Sequence, residues 1–187
     1  MHPIMHDVFS SRACRASLAI VALAALPACQ REWTEVVSSD GGFRVSFPGT
    51  ARANVKPAIP VVQPKEVHIW EIDRGAAGFL HANYYDLLVP FGKDDSDSPL
   101  KLDCLSPFEE GKFVAEPPRA LSLDGSPGLA VAGRAPTSST LRRGGYSEHR
   151  CYLRGQRMYH LTVVGPDSDE TLRDGARFFA SFAFLPR

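Results

Sequence analysis

Four histidines and two cysteines hold most of the reactive chemistry beyond residue 29. His149 and Cys151 are two residues apart, which puts both side chains on one face of a β-strand. His160 follows on the hairpin partner, and His68 and His81 lie on earlier strand-like runs. With Cys104, His149, Cys151 and His160 could offer the nitrogen and thiolate donors that a soft ion takes. Such a site needs Cys104 to arrive from a distant segment. From residue 29 on there is no CxxC, HxxxH or HExxH. The expectation is therefore strand histidines that are hydrogen-bonded or half exposed, with no metal and no cofactor. In an oxidising compartment Cys104 and Cys151 form a disulfide, or else they are two buried thiols; sequence cannot place their Cα atoms within bridging distance.

No catalytic set stands out. Gly125-Ser126-Pro127-Gly128 lacks the G-x-S-x-G pattern, and Pro127 has no N–H for an oxyanion hole. It reads as a turn. Ser138 and Ser139 sit in a loose stretch, a poor place to hold a base within ~3 Å. Glu109-Glu110 and Asp94, Asp95 and Asp97 are clustered and solvated, without the glycine of a calcium loop. Gly144-Gly145 has neither P-loop nor dinucleotide spacing.

Cys29 is different, because its neighbours assign it a reaction. Arg12 and Arg15 precede an uninterrupted apolar run, Ala16 to Leu26. Eleven residues suit a signal peptide and fall short of the ~20 that span a bilayer. Leu26-Pro27-Ala28-Cys29 then resembles the bacterial lipobox, in which cleavage before the cysteine frees a thiol that accepts diacylglycerol. Pro27 and Asp7 depart from the usual pattern; an ordinary secretory signal or a buried N-terminal helix is the competing reading. Gln30, in place of aspartate, favours the outer over the inner membrane. The resemblance implies a lipid anchor on Cys29, and several acyl chains at ~0.8 kcal/mol per CH₂ hold durably. The expected organisation is a signal peptide over 1–28, a short tether over 29–33 and one domain over 34–187.

Charge narrows the partners. The chain has 21 basic and 21 acidic side chains, and removing Asp7, Arg12 and Arg15 leaves a net charge of −1. Nucleic-acid binding usually needs a basic face, so nucleic acid is not an expected partner.

The elements that must position these residues are short strands. Thr34 to Val37 and Phe43 to Phe47 flank Ser39-Asp40-Gly41-Gly42, a hairpin signal. Residues 50–65, with Pro57, Pro60 and Pro64, read as an extended loop. Val67 to Ile72 and Phe79 to Leu87 are strands about a Gly75–Gly78 turn. A middle helix over Leu100 to Glu110 would turn Leu102 and Leu105 one way, with Pro107 confining it to its first turns or moving its start. Arg119 to Leu123 and Leu129 to Ala135 pair about residues 124–128. Tyr146 to Leu153 and Met158 to Val164 form the clearest hairpin. A last helix is capped by Asp167 with Glu170 three residues on. Its stripe runs through Leu172, Ala176 and Phe179, and Phe182-Ala183-Phe184-Leu185 can leave it as a strand. Tyr84, Tyr159, Phe178, Phe182 and Phe184 either line a groove or pack the core.

Seven or eight hairpin-linked strands with a C-terminal helix and one possible middle helix predict an antiparallel α+β domain. GGFRVSFPG, CYLRGQRMYHLTVVGP and the terminal RFFASFAF resemble the Mog1/PsbP-type α/β/α sandwich in element order over about residues 33–186. That resemblance implies a binding or assembly role and maps no site residue. The leading expectation is a non-catalytic envelope lipoprotein that binds an envelope protein or component. An envelope hydrolase and a carrier of a small apolar ligand are the alternatives.

Overall fold

Phe43, Val45 and Phe47 are buried while Arg44 between them is exposed, the two-residue period of a strand with one covered face. This strand, β2 (Phe43–Phe47), pairs antiparallel with β1 (Thr34–Ser38) across the expected hairpin. Its other edge takes β11 (Ala183–Phe184), so the beginning and end of the fold share one three-stranded sheet. The computed structural model describes residues 31–57, 66–88, 97–109, 113–136 and 144–186 of the chain.

The remaining strands build an eight-stranded antiparallel sheet. They are β3 (Arg52–Pro57), β4 (Glu66–Asp73), β5 (Phe79–Asp86), β6 (Val114–Ala115), β7 (Arg119–Leu123), β8 (Ser126–Ala135), β9 (Gly145–Arg154) and β10 (Arg157–Pro166). Their order is β3-β4-β5-β10-β9-β8-β6, and β7 pairs with β8 beyond the two residues of β6. A 3₁₀ turn, Gly75–Ala77, joins β4 to β5. Helix α1 (Asp97–Glu109) packs on β8 and β9, and α2 (Asp169–Ser181) packs on β2, β9 and β10. Phe43, Tyr84, Tyr159, Phe178 and Phe182 belong to the larger core, while Leu100, Cys104, Phe108, Val131 and Met158 belong to a smaller one. The α+β class, the mainly antiparallel sheet and both helices are as expected.

Several details differ, each for a physical reason. Residues 52–57 are an edge strand rather than loop; every one is exposed, so no alternation marks them, and Pro57 falls at the strand's last position. Between β7 and β8 the turn is only Asp124-Gly125, with φ of 49° and 74°, and Ser126 and Pro127 already belong to β8. Helix α1 runs through Pro107. A proline there leaves the carbonyl four residues back without its N–H partner. The Ser106 hydroxyl donates to that carbonyl, Asp103 O, at 3.4 Å. The buried stripe of α1 is Leu100, Cys104 and Phe108, and Leu102 is 69% exposed. The cap of α2 is Ser168, whose hydroxyl accepts from Thr171 N at 3.3 Å. Its buried positions are Thr171, Gly175, Phe178 and Phe179. Arg31 and Trp33, assigned to the tether by sequence, lie against α2: Arg31 pairs with Glu170 at 3.0 Å and the Arg177 guanidinium sits 4.4 Å over the Trp33 ring.

Candidate functional site

Residues directly opposite one another on adjacent strands share a face. The register sets Leu129, Cys151, His160 and Asn83 in one row across β8, β9, β10 and β5. The neighbouring row is Val131, His149, Thr162 and His81. Three of the four histidines thus stand together on one face of the large sheet, and α1 lies over that face at β8 and β9. Gly133 permits the approach: a Cβ there would come within 2.6 Å of the Phe108 ring of α1.

The polar groups on this face form a chain. His149 Nδ1 and His160 Nε2 are 2.8 Å apart, one donating and the other accepting. His149 Nε2 lies 2.9 Å from Ser147 Oγ, and Thr162 Oγ1 is 3.3 Å from His149 Nδ1. His81 Nε2 accepts from Asn83 Nδ2 at 2.8 Å. At the other end, Asp103 of α1 brings Oδ2 to 3.7 Å from His160 Nδ1. That atom is buried without a hydrogen-bond partner, and so is Asn83 Oδ1. Tyr85 hydrogen-bonds to the Asp103 carboxylate, and burial followed by that carboxylate raises its pKa. Burial holds the imidazoles neutral: His81 is lowered to about 4 and His149 to about 3, and burial outweighs Asp103 in lowering His160.

The two cysteines meet here. Cys104 on α1 and Cys151 on β9 are both fully buried, sulfur facing sulfur, with Cα atoms 5.9 Å apart. That separation lies within the range a disulfide spans. Among the described residues, Asp103, Cys151 and His160 place a carboxylate oxygen, a sulfur and a ring nitrogen within 4.8 Å of one another.

A second feature lies at the far end of the sheet. An open groove of about 500 Å³ is lined in part by Asp40, Glu66, His68, Tyr84, Asp86 and Arg157. Arg157 grips Asp86 bidentately at 2.6 and 2.7 Å, donates to the Asp40 carbonyl and covers the Tyr84 ring at 4.6 Å. The guanidinium hydrogen bonds keep the Asp86 carboxyl below its ordinary pKa. His68, the fourth histidine, stacks on Tyr84 at 4.6 Å, on the sheet face opposite the other three.

Of the residues singled out by sequence, Cys104, Cys151, His149 and His160 come together. Ser126 is a buried strand residue. Cys29, Ser138, Ser139, Asp94 and Asp95 lie outside the described residues. Sequence reasoning missed Asp103 and Ser147. Ser147 was recoverable, because it extends the His149-x-Cys151 alternation by one more step. Asp103 had no signal beyond adjacency to Cys104.

No family model matches the chain, and no curated protein matches it by sequence. Solved structures do match. Cyanobacterial PsbP (CyanoP) from Synechocystis sp. PCC 6803 superposes with a TM-score of 0.54 at 13% identity, over 91% of this chain and 99% of that one. LpqN of Mycobacterium tuberculosis, described as involved in cell envelope biogenesis, gives 0.43 at 16% identity, over 83% and 91%. The domain has the PsbP-like α+β fold.

Proposed function

We propose that this chain is a lipid-anchored protein of the bacterial cell envelope with a non-catalytic binding or assembly role. The observation that carries the reading is the apolar run Ala16 to Leu26 closing on Leu26-Pro27-Ala28-Cys29. The thiol of Cys29 takes the lipid, and the domain faces the periplasm, at the outer membrane by the Gln30 criterion. Among the described residues no helix is long and apolar enough to cross a membrane. The groove at Arg157, Tyr84 and His68 is open and both aromatic and charged, which suits a segment of a partner protein better than a small apolar ligand. Cys29→Ala tests the anchor: acyl labelling and membrane fractionation should both disappear, and unchanged fractionation would refute it.

One observation favours a hydrolase, the hydrogen-bonded run from Ser147 through His149 to His160. Ser147 is only 2% exposed, so its hydroxyl has no room for a reacting carbonyl. Labelling of Ser147 by a fluorophosphonate would reverse that preference. Cys104 and Cys151 are read as a disulfide, which non-reducing peptide mapping should recover as one linked pair; two alkylatable thiols would exclude it.

A further inference from the structure

The face beneath α1 holds more donors than its packing uses. Asp103 Oδ2 is buried with no hydrogen-bond partner, and the nitrogen it faces, His160 Nδ1, stands 3.7 Å away. That gap is too long for a hydrogen bond. It matches two ligands of one tetrahedral ion, which sit about 3.3–3.8 Å apart when metal–ligand bonds are ~2.0–2.3 Å. Cys151 Sγ completes the 4.8 Å group, and Cys104 Sγ lies against Cys151 Sγ.

We propose that Cys104, Cys151, His160 and Asp103 form a tetrahedral site for a zinc-class divalent ion when the cysteines are reduced, and that the disulfide is its closed, metal-free state. The inference rests on the reading of the two cysteines as a disulfide and is independent of the anchor. Opening requires a dithiol: it gives two electrons and two protons to the Cys104–Cys151 bond and becomes a disulfide itself. Each cysteine gains a hydrogen as the S–S bond breaks. The ion then displaces both thiol protons to solvent and is held by two thiolates, an imidazole and a carboxylate.

The surroundings suit both states. In the thiol state Cys104 has the Leu129 carbonyl as acceptor at 3.4 Å. For Nδ1 of His160 to bind metal, its proton must be on Nε2. Nε2–H then donates to His149 Nδ1, whose Nε2–H donates to Ser147 Oγ, so the hydrogen-bond chain accommodates the required tautomer. Tyr85 donates to the same carboxylate. The Ser106 hydroxyl on the Asp103 carbonyl steadies the helix turn that bears both Asp103 and Cys104.

Cobalt(II) titration of the full chain tests this, in a Cys14→Ser, Cys29→Ser background so that only two thiols remain. After phosphine reduction one cobalt per chain should bind, with thiolate charge-transfer and tetrahedral d–d absorption. Zinc should bleach both. Protein whose bridge has been verified by mass should show neither. Asp103→Asn should weaken binding by at least the ~10- to 100-fold that loss of an outer partner brings, and Glu35→Gln, on the small sheet, should leave it unchanged. Should reduction loosen α1, the near-ultraviolet circular dichroism lost on reduction should return with cobalt. A reduced chain that shows no tetrahedral thiolate spectrum overturns the proposal. Equal uptake by the bridged protein, or full affinity in Asp103→Asn, overturns it as well.

Discussion

On its α2 side the large sheet packs rings against rings, and on its α1 side it packs sulfur, imidazole and carboxylate. Phe43 meets Trp70, Tyr159 and Phe182 at centroid distances of 5.3, 6.0 and 5.6 Å. The buried charge on that side is answered: Tyr146 donates to Glu148 at 2.6 Å and Arg150 Nε at 2.9 Å. The α1 side has a smaller apolar cluster and two of the three buried side-chain atoms left without partners among the described residues. An unmatched buried polar group costs about 1–3 kcal/mol. The α2 side therefore supplies stability, and the α1 side sacrifices some to keep a set of donors together. The same strands serve both, because alternate residues point opposite ways.

Substitutions can break this contrast. Phe178→Ala, at the fully buried centre of the aromatic side, should cost ~3–5 kcal/mol by denaturant titration. Cys104→Ser in oxidised protein should cost less, ~2–4 kcal/mol, and the same fall should follow reduction of the unmutated chain. Equal stability of oxidised and reduced protein would argue against the bridge. His149→Leu strands Ser147 and His160 and should cost ~1–3 kcal/mol. A stabilised His149→Leu would show that the hydrogen-bond chain has no structural role.

Acid sharpens the comparison further. His81 and His149 have folded-state pKa values of about 4 and about 3, below the ordinary 6.5. Between those values the unfolded chain binds more protons, so stability rises with pH across that window. It is fully present above about pH 6.5 and is lost as pH falls toward 4 and 3. His81→Asn, His149→Asn together should flatten this slope in melts recorded across the window. The smallest effect belongs to Leu102→Ser, on the exposed side of α1, within about 0.5 kcal/mol of zero.

What could be read from sequence follows from which signals are local. Asp-Gly turns and the alternation in Phe43–Phe47 are set by neighbours in the chain, and those hairpins were legible. So was the shared face of His149 and Cys151. Edge strand β3 was not, since its side chains are all exposed and its identity comes from pairing with β4. The passage of α1 through Pro107 depends on one hydroxyl, Ser106, that no periodicity reports. The meeting of Cys104 with Cys151 is tertiary: it depends on where a helix crosses a sheet, and the 47-residue separation gives no hint of it.

The pairing of β11 with β2 has a consequence in time. Ala183 and Phe184 lie opposite Arg44 and Phe43, and Leu185 N donates to the Gly42 carbonyl at 2.9 Å. An early strand must wait for a late one, so a chain emerging from the ribosome cannot close this sheet until residue 185 is free. Until then Phe43 and Phe47 lack part of their cover, and the polypeptide stays threadable. A translocation channel that accepts only unfolded chains would find that delay useful. Moving residues 182–186 ahead of Trp33 should let the small sheet form first, and on the proposed lipoprotein route export should slow accordingly.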